Sequence, residues 1–375
     1  MRKLLAPVLT LALPLAACSA EAPAPPAANM VAANVAAAAV PVAGPPPAAP
    51  ADSGARPGQG EAKTFRDWTV ACDNVKRCEL ASLGPDMGDF PPYTMQVARA
   101  AGPAGGFEIA VASLQQDAAV PEAILVDGQR FGVAPDGLAG ANAARVVASM
   151  ANGTALAFVD RAGTTLGRVS LAGASAALRY VDAMQGRAGT TTAAVAKGAR
   201  GAEAVSAAPA PPLIVAPRIE GKAATPTAAQ LAAMRRTAQC EERMADASVW
   251  TVKTGAVGGG ATLVLLPCSA GAYNEIDAMF VLKDGKVVPV GVDAPSGFEE
   301  TGADSQTPVH SVVNGGIENG VVTSYAKGRG LGDCGVSQGY VWDGRRLRLT
   351  DQSEMVECRG NANFLRTWVA KVERR

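Results

Sequence analysis

Six cysteines, Cys72, Cys78, Cys240, Cys268, Cys334 and Cys358, stand in the body of this chain, and a seventh, Cys18, lies far upstream. Thiols in such numbers either ligate a metal or pair as disulfides. No Cys-x-x-Cys pair occurs and His310 is the only histidine, so a metal site is not expected. An even set suggests three disulfides, for which sequence alone permits about 15 pairings. In "WTVACDNVKRCELAS" the alternation Trp68, Val70, Cys72 and then Cys78, Leu80 fits two strands joined by a short loop, with the cysteines facing each other across it. Cross-strand spacing of about 5 Å suits a disulfide. Keeping the other bridges local pairs Cys240 with Cys268 and Cys334 with Cys358.

Cys18 has a different context. Arg2 and Lys3 precede an apolar run from Leu4 to Leu15, the length of a signal h-region and too short to span a bilayer. Leu15-Ala16-Ala17-Cys18 then looks like a bacterial lipobox, where the thiol is acylated and the bond before it is cut. Ordinary cleavage after Ala20 would instead discard Cys18, and a disulfide there would leave an odd thiol elsewhere. Acylation is the expectation, with residues 1–17 as signal peptide. Two or more acyl chains hold a protein stably on a membrane. Ser19 after the cysteine favours the outer membrane of a double-membrane bacterium.

Other candidates for chemistry are weaker. His310, in "TPVHSVVNGG", lacks a visible partner and reads as a surface or capping residue. The glycines of "GRGLGDCG" do not meet the requirements of a phosphate loop and read as a turn before Cys334. Arg179, Asp182, Gln185 and Arg187 fall at helical spacing opposite an apolar stripe, which makes them a solvated face or a docking surface for a partner or glycan. Tyr273 and Asn274, in "CSAGAYNE", belong to a turn or line a polar pocket beside Cys268. Glu275 and Asp277 follow at once, and a carboxylate pair is the minimum equipment of a glycoside hydrolase.

The elements that position these residues follow from composition and period. Residues 18–62 are dominated by Ala and Pro, show no period that would bury a face, and read as a disordered tether with a reach of roughly 35 Å. Residues 63–187 alternate as short strands, with an Asp127-Gly128 hairpin signal and a helical stretch at "ANAARVVASMANG". In "SLAGASAALRYVDAMQGR", Ala174, Ala177, Leu178, Val181 and Met184 recur at helical spacing and Gly186 stands where the helix should end. Residues 188–224 return to Ala, Gly and Pro and form the expected linker. Thr225 and Pro226 should open a helix to about Ala245 with Leu231, Met234 and Ala238 as its stripe. Strands dominate the rest of 225–375, with Asp284-Gly285 and Asp343-Gly344 as hairpins. The fold class is α+β: two antiparallel β-rich domains, each with one or two packed helices.

Lys plus Arg and Asp plus Glu number 34 each, and removal of Arg2 and Lys3 leaves a slightly acidic mature chain. A nucleic-acid partner, which calls for a basic surface, is excluded. Taken in order, "FRDWTVACDNVKRCELAS", "SLAGASAALRYVDAMQGRAGT", "PCSAGAYNE" and "GDCGVSQGYVWDGRRLRLTDQSEMVECRG" resemble the domain of unknown function 1176 family of exported bacterial proteins, over roughly residues 63–373. The first half is also similar to the invasion-associated locus B family, mainly through Trp68–Cys78 and the "SLAG" motif. The resemblance implies a periplasm-facing location and paired cysteines, and it supplies no reaction.

The reading that results is a lipid-anchored, disulfide-stabilised envelope protein that binds a macromolecular partner without catalysis and without a cofactor. Inhibition of a cell-wall hydrolase is one form such binding takes. The alternative is a hydrolase of envelope polysaccharide or peptide with Glu275 and Asp277 as acid and base. A passive link between membrane and wall is a third. Carboxylates about 5 to 9.5 Å apart in a polar cleft would mark the enzyme, and an exposed apolar patch the binder.

Overall fold

A computed structural model of the chain describes residue 57 and residues 61–86, 90–113, 115, 117–134, 137–294 and 308–375. The expected signal peptide, Cys18 and nearly all of the tether lie outside the described residues. What is described is mostly antiparallel β-sheet with three α-helices, as the α+β reading anticipated.

The first half begins with β1 (Lys63–Phe65), β2 (Trp68–Cys72), β3 (Cys78–Ser82), β4 (Thr94–Arg99) and β5 (Phe107–Ala112). β6 (Ala123–Val126) and β7 (Gln129–Gly132) follow, then β8 (Leu138–Ala139), α1 (Gly140–Met150), β9 (Ala155–Val159), β10 (Thr165–Ser170) and α2 (Ala174–Met184). They form two sheets, ordered β1-β2-β3-β4-β5-β8 and β10-β9-β6-β7. Asp127 and Gly128 join β6 to β7 with both φ positive, the conformation a two-residue hairpin turn demands. One core collects Trp68, Met95, Ile124 and Phe158 from the sheets, Val146, Val147 and Met150 from α1, and Ala177, Leu178 and Val181 from α2. The α2 stripe is as expected except at Met184, which is 44% exposed on the last turn. Gly173 allows α2 to start against β1: its φ is +93°, and a Cβ there would lie 1.7 Å from the Phe65 carbonyl oxygen.

β11 (Leu213–Ala216) and α3 (Ala228–Ala238) lead into the second half. The helix starts two residues later than expected. Thr227 rather than Thr225 is its N-cap and forms a capping box with Gln230, so Pro226 stays outside, and Gln239 in the left-handed region ends it before Ala245. Met234 and Ala238 are buried and Leu231 partly so, as the stripe required. Next come β12 (Lys253–Gly258), β13 (Ala261–Ala270), β14 (Glu275–Lys283), β15 (Lys286–Pro289) and β16 (Ser311–Val313). β17 (Gly316–Glu318), β18 (Val321–Lys327), β19 (Gly335–Trp342), β20 (Leu347–Met355) and β21 (Leu365–Val369) make a second meander, and β22 (Lys371–Arg374) pairs in parallel with β11. Leu263, Leu265, Met279, Tyr340, Trp342 and Leu349 fill the space between the two sheets, and α3 covers the outer face of β13 and β14. Asp284-Gly285 is a two-residue hairpin, whereas Asp343-Gly344 sits in a longer loop whose Arg345 and Arg346 amides donate to the Asp343 carboxylate.

The segment 188–224 is more than a connection. Thr190, Ala193 and Val205 are buried, Ala194 and Val195 pack on the first half's core, and β11 is built into the second half. Residues 53–375 group as one compact unit. A seam of hydrogen bonds explains why. The Arg366 guanidinium pairs with Asp73 at 2.6 Å, its backbone N–H donates to Glu79, and Asn74 exchanges two hydrogen bonds with the Val369 backbone. Arg359 donates to the Gly84 and Arg66 carbonyls and pairs with Asp67. Ala71, Ala81 and Leu83 pack there on Cys334, Met355 and Leu365.

All three disulfides form with the expected partners, Cys72–Cys78, Cys240–Cys268 and Cys334–Cys358. Their sequence separations of 6, 28 and 24 rank their expected worth. By loop-closure entropy, replacing Cys334 and Cys358 together by serine should cost about 3.5 kcal/mol of unfolding free energy, and the Cys72, Cys78 double variant about 2 kcal/mol. Urea unfolding without reductant measures both, and an equal or larger loss in the Cys72, Cys78 variant would contradict the ranking.

Candidate functional site

The two carboxylates singled out from the sequence do meet, but around a lysine. Glu275 and Asp277 alternate on β14 and project from the same face, toward the opposing sheet. Lys253, at the start of β12, reaches across β13 to them: its Nζ lies 2.6 Å from Glu275 Oε1 and 3.0 Å from Asp277 Oδ2. Gly315 N–H donates to the same Asp277 oxygen at 3.0 Å, and the other oxygen, Oδ1, is buried without a partner. Asp277 is fully buried, while the Lys253 and Glu275 side chains are partly exposed. Two carboxylates facing one ammonium leave the cluster one charge from neutrality. Burial pushes the Asp277 carboxyl up to about 7, the neighbouring Glu275 adds to the rise, and Lys253 opposes it. Lys253 is raised in turn, because the two carboxylates outweigh its own desolvation.

Such a carboxyl suits proton transfer near neutral pH in principle. Here Lys253 and Gly315 occupy one oxygen, and both carboxylates lie within 3.0 Å of one Nζ, which fills the space a scissile bond would need. Two strings spell hydrolase signatures, and both lie inside strands. Gly335-Val336-Ser337-Gln338-Gly339 runs along β19 and not round a strand-to-helix turn. Ser324-Tyr325-Ala326-Lys327 lies in β18, where residues three apart point to opposite faces, and the Ser324 hydroxyl is buried and accepts from Val313 N–H. His310 is partly buried ahead of β16, its carbonyl accepting from Met279 N–H. Among the described residues no group of His, Cys, Asp and Glu is arranged to hold a metal ion.

A different surface gathers around Tyr273 and Asn274. Asn274 exchanges hydrogen bonds with the Lys327 backbone and accepts from Asn314, and Tyr273 OH donates to the Gly328 carbonyl at 3.0 Å. These bonds hold the loop 328–334, the expected glycine turn, whose Gly332 has φ +75°. Tyr325 OH donates to Gly332 O at 2.6 Å, and Arg329 grips Asp333 with two nitrogens. Burial works against ionisation of Asp333, but Arg329 and the Gly360 N–H prevail and hold it below the usual carboxylate range. The Arg329 guanidinium also lies 4.8 Å from the Phe90 ring centroid. Leu331 on this loop and Phe90 and Tyr273 beside it are 52%, 41% and 41% exposed.

With the fold and these sites in view, comparison with known proteins is informative. The family described as "Protein of unknown function (DUF1176)" matches residues 62–371. The chain belongs to this family. A similar protein is an Escherichia coli (strain K12) chain described as "Uncharacterized protein YpfG", 27% identical over 337 residues, which cover 79% of this chain and 88% of that one. No solved structure matches significantly. These matches bear out the DUF1176 resemblance and do not show the likeness to the invasion-associated locus B family.

The DUF1176 motif around α2 corrects an expectation. Of Arg179, Asp182, Gln185 and Arg187, only Arg179 is exposed. Asp182 accepts from the N–H groups of Ala194, Val195 and Ala196 and pairs with Arg99, while Gln185 donates to the Lys76 and Arg99 carbonyls. Arg187 donates to Gln185, Thr192 and Gly102. Desolvation, with repulsion from Arg187, lowers Arg99 to about 10 despite Asp182. The segment after α2 folds back over this face, so three of the four residues are internal and unavailable to a partner. Lys253 escaped sequence reading because it lies on another strand, with no pattern linking it to Glu275.

Burial alone raises a second carboxyl, Glu354 on β20, to about 7, and its Oε1 has no partner. Asp277 and Glu354 hold protons more tightly folded than unfolded, so their contribution to stability is complete below about pH 4 and disappears as pH climbs past 7. Glu354→Gln, which stays neutral, should gain on the native chain by about 3 kcal/mol between pH 4 and pH 8. Urea unfolding across that range checks it; parallel curves for the two proteins would rule the assignment out.

Proposed function

We propose that this protein is exported, lipid-anchored through Cys18 and facing the periplasm from the outer membrane, and that it recognises a macromolecular partner without catalysis. The observation that carries the reading is the loop 328–334, with Leu331 exposed on it, Phe90 and Tyr273 exposed beside it and Arg329 fixed against Phe90. Exposed apolar side chains in one place mark interaction surfaces, and aromatic residues and arginine dominate binding energy where they do. Because the loop is already tied by Tyr273, Tyr325 and Asp333, little ordering entropy is lost on docking. Three disulfides suit a scaffold that works outside the cytosol. The halves before and after 188–224 serve as two domains locked at their seam, and Phe90 from the first meets Arg329 from the second at this surface.

The partner is an envelope protein or cell-wall material, and a cell-wall hydrolase held inactive is one such case. The hydrolase alternative rests on Glu275 and Asp277, whose engagement by Lys253 speaks for a structural ion cluster.

A photocrosslinker at position 273 in living cells, followed by mass spectrometry, should capture one defined partner, and Phe90→Ser with Leu331→Asp should abolish that capture at equal protein level. The same captured set from native and doubly substituted protein would remove the patch from consideration, and hydrolysis of isolated wall material by the purified protein would restore the enzyme. The intact mass of the native molecule should show acyl groups, and Cys18→Ser should release it from the membrane fraction.

A further inference from the structure

A groove with a volume of about 430 Å³ runs between α3 and the segment that leads into β12, on the far side of the second half's core. Leu231, Ala232 and Arg235 form one wall, and Trp250, Thr251 and Val252 the other. The groove is preformed. Met234 and Ala238 anchor α3 to the sheet through the adjoining face, with Leu231 at the boundary, and Cys240–Cys268 ties the end of the helix to β13.

Arg235 is the exception in these walls. The residue is partly buried, its Nη2 donates to the Met244 carbonyl at 3.3 Å, and its Nε is buried without a partner among the described residues. Among the described residues no carboxylate pairs with it. Glu241 and Asp246, on the facing segment, are engaged by Arg243 and Ser248. A cation drawn partly out of water without a counter-charge favours an anion, and the guanidinium fork matches a carboxylate. The remaining wall is hydrocarbon apart from Thr251 and the Trp250 indole N–H. A peptide laid along it would bury its own N–H and C=O groups against Leu231, Ala232, Val252 and the Trp250 ring with almost nothing to receive them. An aliphatic chain has no such groups.

We propose that this groove binds a free aliphatic monocarboxylate, its hydrocarbon chain between Leu231 and Trp250 and its carboxylate on Arg235. The site is separate from the surface around Tyr273, and either assignment stands without the other.

Dodecanoate, below its micellar concentration, is the probe, titrated into the full chain carrying Cys18→Ser so that no acyl group of its own competes, with calorimetry as the readout. Saturable binding at one site is expected, weakened about tenfold or more by Arg235→Gln and largely restored by Arg235→Lys. Dodecanol should bind more weakly than dodecanoate to the native groove and should not distinguish Arg235→Gln from it. Ala232→Trp, on the exposed flank of α3, should fill the groove and abolish binding with the melting temperature unchanged. No binding of dodecanoate, equal binding of acid and alcohol, indifference to Arg235→Gln, or tighter binding of trialanine than of dodecanoate would each overturn the proposal.

Discussion

The hairpin from Cys72 to Cys78 is the piece on which the rest of the molecule depends. Its disulfide closes β2 onto β3, and its loop is shaped by Asp73, whose Oδ1 accepts from the Val75 and Arg77 amides. With the tip held, the other Asp73 oxygen and the Asn74 amide are aimed at β21, an edge strand with unpaired backbone groups. Asn74 satisfies the Val369 backbone as a neighbouring strand would. An edge that would otherwise invite another chain is covered, and two sheets of different halves become one body.

Local order was the part of this structure written most openly in the sequence. Strand alternation around Cys72 and Cys78 dictates a cross-strand pair, and Asp127-Gly128 and Asp284-Gly285 turn where a positive φ is cheapest. Asn319-Gly320 makes the same turn between β17 and β18, and its dipeptide was an equally clear signal. Thr225 and Thr227 both qualify as caps by type, and the choice was settled by the reach of Gln230. What remained hidden depends on distant chain segments. Helical spacing places Asp182, Gln185 and Arg187 on one face but does not reveal that residues 190–200 fold over it. The Lys253 cluster needs a strand pairing across β13 before its members are neighbours, and Phe90 meets Arg329 only through the seam.

Charge is sorted with some consistency in this fold. Asp182, Asp277 and Asp333 are all fully buried, and each is met by a guanidinium or ammonium and by backbone amides. Breaking such a site by removing one partner typically costs 3–5 kcal/mol, because a charge is stranded in a poor solvent. These residues fix the backbone of the loops they bind. The surface can then present aromatic and aliphatic side chains without the loops beneath them shifting.

The parallel pairing of β11 with β22 has a bearing on how the chain is made. Leu213 and Val215, 51% and 44% exposed even in the finished fold, belong to a strand whose one partner among the described strands is synthesised about 160 residues later. At ordinary elongation rates that is a wait on the order of ten to thirty seconds, during which an apolar strand is open to any passing edge. A holding chaperone that shields residues 213–216 during that interval would protect yield without altering the stability of the product.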